Sequence, residues 1–214
     1  MDTLNYILKK YNLSYDDNTA MPIRIPGVIR DDLGFLFDEL GFTKGAEIGV
    51  ESGLYSSILL ASNPNLVLYS IDAWKSYRAY RDHTSQEKLD RFYENTKQAL
   101  KGFGDRSIIW KKASMDAVKE IPDESLDFVY IDANHAFAHV AQDVHYWLRK
   151  VRKGGIISGH DYKKHKAGVN IHVKQVINGY TDAYYIRPWF VLGADAKIEG
   201  IPRDASRSFM WVKI

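Results

Sequence analysis

The sequence predicts an α/β fold built on a doubly wound, mostly parallel sheet. Three observations carry this. Segments with strand and helix periodicity alternate along the chain, the strand segments are near-continuous apolar runs, and turns containing Gly or Asp follow their carboxyl ends. Strands that are apolar on both faces need cover on both sides, which crossover helices of a parallel sheet supply.

Leu4, Ile7, Leu8 and Tyr11 share one face of a helix over residues 2–12, which could cap the core or meet a second subunit of a homo-oligomer. Pro22 and Pro26 then break regularity, so residues 1–27 read as an N-terminal helix and connecting segment. Leu33, Leu36, Phe37 and Leu40 place a helix over 28–40, ended by Gly41. A short buried strand at 46–50 enters a Gly-containing turn, and a helix over 54–61 leaves it. The run 66–71 is a second strand, ending at Asp72. After a polar, aromatic stretch comes a helix over 85–100, then a third strand at 107–111 and a short helix at 115–120. The fourth strand, 126–131, ends at Asp132. Phe137, Val140, Val144, Trp147, Leu148 and Val151 give the next helix its core stripe. Gly154-Gly155 leads into a strand at 156–158. Val169, Val173, Val176 and Ile177 mark one more helix, and 183–187 with 209–212 form a terminal antiparallel pair. Neither repeat nor linker interrupts this order, so residues 1–214 read as a single domain.

Composition narrows the function. The 29 basic and 27 acidic residues nearly cancel at +2, so no overall field favours a nucleic acid. No apolar run approaches the ~18–20 residues of a membrane helix, and the N-terminus lacks the basic and apolar regions of a secretion signal. These features lead us to expect a cytoplasmic protein acting on a small molecule, with neither membrane nor nucleic acid as partner. Without cysteine there is no thiolate chemistry, and any metal must be held by His, Asp, Glu, Asn or water.

Ligands of such sheets bind at the carboxyl ends of the strands. There Glu47-Ile48-Gly49-Val50-Glu51-Ser52-Gly53 sets two glycines where the chain turns from strand to helix, letting backbone approach a ligand at the helix N-terminus. Asp72, at the end of the next strand, can accept hydrogen bonds from both hydroxyls of a ribose. A dinucleotide fingerprint would need glycines at 51 and 54, which are Glu51 and Leu54, and a pyrophosphate would face the Glu51 carboxylate.

The Glu47-x-Gly49-x-x-x-Gly53 arrangement instead resembles motif I of class I S-adenosylmethionine-dependent methyltransferases, over roughly 28–214. That resemblance implies a Rossmann-like, seven-stranded sheet with an antiparallel C-terminal pair. It places Gly49 and Gly53 by the methionine part of the cofactor and Asp72 on the ribose, with Glu47 a further cofactor-binding residue. Ser114 and Met115 would border the adenine, with Asp116 near its amino group, and Asp132 would lie by the amine and the reacting methyl. Tyr130-Ile131-Asp132-Ala133-Asn134-His135 and Ser158-Gly159-His160-Asp161-Tyr162 are further similar to a subfamily related to catechol-type and macrolide-sugar O-methyltransferases.

The likeness implies O-methylation of a small hydroxylated acceptor such as a sugar, polyketide or phenol. His135 would be the base, with Asp132, His160 and Asp161 around a divalent cation, Mg²⁺ or Mn²⁺. His160 stands where an oxygen ligand belongs, which favours Mn²⁺, Fe²⁺ or Zn²⁺ over Mg²⁺, or makes His160 a second base without metal. Trp74, Tyr77, Arg78, Tyr80 and Arg81 suit a lid over the acceptor. Two alternatives remain. Tyr162-x-x-x-Lys166 has the spacing of an NAD(P)-dependent short-chain dehydrogenase pair, though it directly follows a strand, and a cofactor-binding protein without turnover would share the same loop.

Overall fold

The computed structural model describes residues 2–76, 85–166, 168–193, 199–200, 204 and 206–214. The helices are α1 (Thr3–Lys10), α2 (Asp32–Glu39), α3 (Leu54–Ser62), α4 (Gln86–Leu100), α5 (Ser114–Glu120), α6 (Phe137–Leu148) and α7 (Val173–Ala183). The strands are β1 (Ile23–Ile25), β2 (Lys44–Ile48), β3 (Val67–Asp72), β4 (Ser107–Lys111), β5 (Leu126–Ile131), β6 (Val151–Gly159), β7 (Trp189–Leu192) and β8 (Phe209–Val212). They form one sheet in the order β1-β7-β8-β6-β5-β2-β3-β4. Only β8 runs against its neighbours, β6 and β7. Among the described residues no helix is long and apolar enough to cross a membrane.

Both sheet faces are covered. Along β5, Val129 and Ile131 join the core with Ala117, Val144, Trp147, Val176 and Ile177 of α5, α6 and α7. Phe128 and Tyr130 alternate into a second core with Ile7, Leu36, Phe37, Leu59 and Leu100 of α1 to α4. The same period of two recurs in β7 and β8, where Trp189, Val191, Phe209 and Trp211 enter the first core and Phe190, Leu192, Met210 and Val212 the second.

Three features differ from the sequence expectation. The stretch between Pro22 and Pro26 contains an eighth strand, β1, parallel to β7 through Ile23 opposite Phe190 and Ile25 opposite Leu192. Proline is tolerated at a sheet edge, where the missing amide faces no partner. The first member of the C-terminal antiparallel pair is Trp189–Leu192 and not 183–187. Tyr184 and Tyr185 are exposed and belong to the turn that ends α7, where the Ile186 amide donates back to the Thr181 carbonyl at 2.8 Å. Finally, β6 begins at Val151 and bulges. Leu126 pairs with Val151 and Phe128 with Ile156, so Gly154-Gly155 lies inside the strand. A Cβ at Gly155 would sit 2.4 Å from the Asp127 carbonyl oxygen.

From β2 the chain moves outward to β3 and β4, then crosses back to β5 and β6 on the other side. Ile48 lies opposite both Ile71 and Ile131, and Ile131 opposite Gly159. That register sets Gly49, Asp72, Asp132 and His160 side by side at one edge, at the switch point where such sheets bind ligands.

The second core turns on Phe128, fully buried with its ring centroid 4.0 Å from that of Phe37. It lies so close to β2 that a Cβ at Gly45 would fall 2.2 Å from it. Phe128→Ala should destabilise the protein by about 3–5 kcal/mol. Urea unfolding should show a lower midpoint at constant slope, and a loss under about 1 kcal/mol would contradict this packing role.

Candidate active site

The turn from β2 into α3 is shaped by three constraints. Gly49 has φ +92°, and a Cβ there would lie 2.2 Å from the Asp132 carbonyl oxygen, so only glycine lets this turn rest against the end of β5. Asp72 holds the turn from the other side: Oδ2 accepts the amides of Val50 at 2.9 Å and Glu51 at 3.0 Å, and Oδ1 accepts the amide of Trp74 at 2.8 Å. The Glu51 carbonyl in turn accepts Trp74 Nε1 at 2.7 Å and Thr96 Oγ1 at 3.1 Å. Gly53, at φ +83°, starts α3, and a Cβ on it would press within 3.0 Å of Thr96 Cα. Gly53 therefore serves packing against α4 and lies outside the cavity wall.

Beside this turn is a cavity of about 630 Å³. Its wall includes Glu47, Gly49, Asp72, Ser114, Met115 and Asp132, six residues the sequence placed around a cofactor, and also His135. Asp116 is elsewhere, exposed and paired with Lys119 at 2.9 Å. Trp74 is almost fully buried and is one of the residues of the wall. The other four residues of the expected lid, Tyr77, Arg78, Tyr80 and Arg81, lie outside the described residues.

At one end of the cavity charges alternate. Asp132 follows β5, and its Oδ2 is 3.5 Å from both Arg30 Nη1 and His160 Nδ1, while Oδ1 is 3.4 Å from His135 Nε2. The same His135 nitrogen is 3.0 Å from Asp161 Oδ2. His160 Nε2 is bound by Asp204 at 3.0 and 3.1 Å, and Asp204 is fixed by the amides of Ser206 and Arg207. Burial alone would lower the His135 pKa, but hydrogen bonds and charge from Asp132 and Asp161 outweigh it and raise it to about 10. His160 is shifted upward against burial in the same way, chiefly by Asp204. Burial opposes ionisation of Asp161, yet His135 holds its carboxyl well below the usual range. In this arrangement His135 carries a proton at neutral pH, whereas an unperturbed imidazole would be mostly neutral.

Asp132, His135 and Asp161 each bring one ligand atom within 4.8 Å of the others, two carboxylate oxygens and one imidazole nitrogen. His160, which the sequence placed in such a set, turns its Nε2 away to Asp204. The backbone at Asp161 is left-handed, φ +57°, a conformation costly for a residue with a Cβ and seen where function fixes a side chain. Tyr162 of the dehydrogenase-type pair is buried, its hydroxyl donating to Asn178 Oδ1 at 2.7 Å, and it serves the core rather than the cavity.

Three residues escaped the sequence reading. Arg30 precedes α2 and stacks over Tyr55, 5.1 Å from the ring centroid, with nothing local to distinguish it from a surface arginine. Asp204 lies between β7 and β8 and meets His160 only through the fold. Asp143 did leave a signal, since an acid three residues after Val140 and four before Trp147 falls on the apolar stripe of α6.

Comparisons place this geometry among known proteins. The family model of a methyltransferase domain matches residues 46–162. Comparison with curated proteins finds no match. An O-methyltransferase from Bacillus cereus, solved with S-adenosylhomocysteine, is similar in fold, with TM-score 0.61, 17% identity and coverage of 99% of this chain and 90% of that one. An O-methyltransferase of tomaymycin synthesis from Streptomyces achromogenes, solved with S-adenosylmethionine, gives 0.56, 14%, 100% and 90%. Spermidine synthase from Thermotoga maritima gives 0.57, 14%, 86% and 59%, so the fold alone does not select the reaction.

Glu47 yields a test of the cavity floor. Burial pushes its carboxyl from 4.5 up to about 8, partly offset by the hydrogen bond from Ser56 Oγ. With the folded pKa above the unfolded one, the neutral acid is favoured in the fold, so stability falls as pH rises from about 4.5 through about 8. Glu47→Gln should remove that component, flattening the unfolding free energy across this window. An unchanged pH profile in the variant would show that Glu47 ionises without cost.

Proposed function

Because this chain belongs to the methyltransferase-domain family, we propose that it uses S-adenosylmethionine to methylate an oxygen of a small hydroxylated acceptor such as a sugar, polyketide or phenol. We take the whole span 1–214 as its single methyltransferase domain. The observation that carries this reading is the cavity wall. Around the glycine turn it presents the carboxylates of Glu51, Asp72 and Asp132, which suit ribose hydroxyls and a ligand with sulfonium and ammonium charges and are adverse to a pyrophosphate. That also disfavours the NAD(P) alternative.

Bound there, the cofactor supplies a methyl group made electrophilic by a sulfonium. Asp72 would receive one ribose hydroxyl at the acceptor position left on Oδ1 after its three backbone bonds, a carboxylate offering about four. Gly49 would let the methionine part lie against backbone. Asp132 would sit by the ammonium and the transferred methyl, with Ser114 and Met115 at the purine end. His135, on the first approach to α6, would take the acceptor's proton while the acceptor oxygen lies in line with the methyl. Its own proton must leave first, and positive charge arriving beside Asp132 works in that direction. His160 is a second candidate base, oriented by Asp204 toward Asp132.

In a second arrangement Asp132, His135 and Asp161 would hold a divalent cation, with His135 a ligand and His160 the base, and the imidazole in the set suits Mn²⁺, Fe²⁺ or Zn²⁺ better than Mg²⁺. There it would lower the pKa of an acceptor hydroxyl. His135 would then stand where the resemblance puts His160.

Calorimetry should show binding of S-adenosylhomocysteine and none of NADH, and Asp72→Ala should weaken it by about 1–3 kcal/mol. Tight NADH binding with no response to S-adenosylhomocysteine would refute the cofactor. With an acceptor in hand, His135→Ala should lower kcat by roughly 10²–10⁴-fold while cofactor affinity changes little. An equal rate in the variant across pH 6 to 9 would leave His160 as the base. Full activity of the wild type in excess chelator would exclude the cation.

A further inference from the structure

Arg30 brings a guanidinium to the charged end of the cavity. Backbone and side chain are both held in place. The Arg30 carbonyl accepts the Tyr55 hydroxyl at 2.8 Å and the Leu33 amide at 3.0 Å, and the guanidinium stacks 5.1 Å from the centroid of the buried Tyr55 ring. Stacking fixes the plane of a guanidinium and leaves the N–H groups along its rim for a ligand. Here that rim is unused. Asp132 Oδ2 lies 3.5 Å from Nη1 and Asp31 Oδ1 lies 3.8 Å from Nε, contacts between charges that do not make hydrogen bonds. Among the described residues no acceptor takes a hydrogen bond from this side chain, which keeps 30% of its surface and has no nitrogen sealed off. Desolvating such a group is costly, and an anion entering the cavity would offset that cost.

The neighbours say what such an anion would belong to. Arg30 and His160 each lie 3.5 Å from the same oxygen of Asp132, and His135 lies 3.4 Å from the other. The guanidinium therefore shares one carboxylate with both imidazoles that would act on the acceptor. In this cluster Arg30, His135 and His160 stand against Asp132, Asp161 and Asp204, so the charges balance when both imidazoles are protonated. S-adenosylmethionine adds a sulfonium beyond its ammonium and carboxylate, and with it bound the balance favours a negative partner.

We propose that Arg30 receives a carboxylate of the acceptor, which makes the acceptors of this protein hydroxy acids. The inference rests on the methyl-transfer reading given above and narrows its acceptor class. A carboxylate matches the edge of a guanidinium with two parallel hydrogen bonds, so the pair would anchor the acid while its hydroxyl reaches the imidazoles. A neutral acceptor would leave those donors unpaired. The cofactor's own carboxylate is the other source of the same chemistry, and replacing Arg30 tells the two apart.

The test begins with calorimetry of S-adenosylhomocysteine on wild type and Arg30→Gln, whose affinities should agree within about fivefold. A larger loss in the variant would assign the guanidinium to the cofactor's carboxylate and overturn the proposal. Methyl transfer from S-adenosylmethionine is then followed with 3,4-dihydroxybenzoate, glucuronate and 3-hydroxyoctanoate, each against its amide. Wild type should use at least one acid and prefer it to its amide by roughly 10- to 100-fold in kcat/KM, the range for hydrogen bonds to a charged group. Arg30→Gln should bring that ratio to about one, and Arg30→Lys, which keeps the charge without the fork, should fall between. The ratio decides, since a variant that merely disturbed Asp132 would slow acid and amide alike. Turnover of none of the acids, equal use of acid and amide by wild type, or a preference kept in Arg30→Gln each overturns the inference. If wild type does not bind S-adenosylhomocysteine, the cofactor reading itself falls, an outcome distinct from binding without a preference for acids.

Discussion

The site depends on how closely the end of β2 can approach the end of β5. At Gly49 the backbone rests against the carbonyl of Asp132 and the Cα of Ala133, at distances that no side chain could occupy. This contact lets the turn pass tightly over the sheet edge while Asp72 gathers its amides from the far side. It also fixes where Asp132 begins its own turn, and through Asp132 the positions of Arg30, His135 and His160. A side chain at 49 would separate the two strand ends and open the cavity wall along with the charge cluster.

The two ends of the cavity are built on different electrostatic terms. At one end each charged group has a neighbour of opposite sign: Asp132 faces Arg30 and His160, Asp161 faces His135, and Asp204 faces His160. Low effective dielectric strengthens such pairs and makes the protonation state of each depend on the others. A group entering there acts on the whole set, so a cationic ligand near Asp132 bears on His135 without touching it. At the other end Asp143 is buried with a hydroxyl donor and, among the described residues, no counterion, and desolvation dominates its energy. A cavity with paired charges at one end and a half-satisfied acid at the other presents different chemistry to the two ends of an elongated ligand.

The resemblance to spermidine synthase as well as to O-methyltransferases shows why the fold cannot settle the reaction. Sheet order and edge register provide a shelf at the switch point. The chemistry on that shelf belongs to individual side chains, here an imidazole between two carboxylates and a second imidazole turned by Asp204.

Local patterning was enough to determine most elements. The apolar runs of β3, β4 and β5, the stripe of α6 and the N-cap at Ser85 before α4 are set by residues within a few positions of one another. The glycine turn and the aspartates ending β3 and β5 were legible for the same reason, since strand ends are where this architecture presents ligand groups. What was not legible depended on distant partners. β1 exists because β7 offers it an edge, and Trp189–Leu192 pairs with β8 because its four side chains fill both cores while the tyrosines before it remain in solvent. Only the tertiary structure brought Asp204 to His160, set His135 between Asp132 and Asp161, and put Asp143 rather than Asp116 on the cavity wall. Sequence alone determined which groups could ionise or donate. Burial and opposing charge, which arise only when separate strands are packed together, decided which of them hold a proton and where their free atoms point.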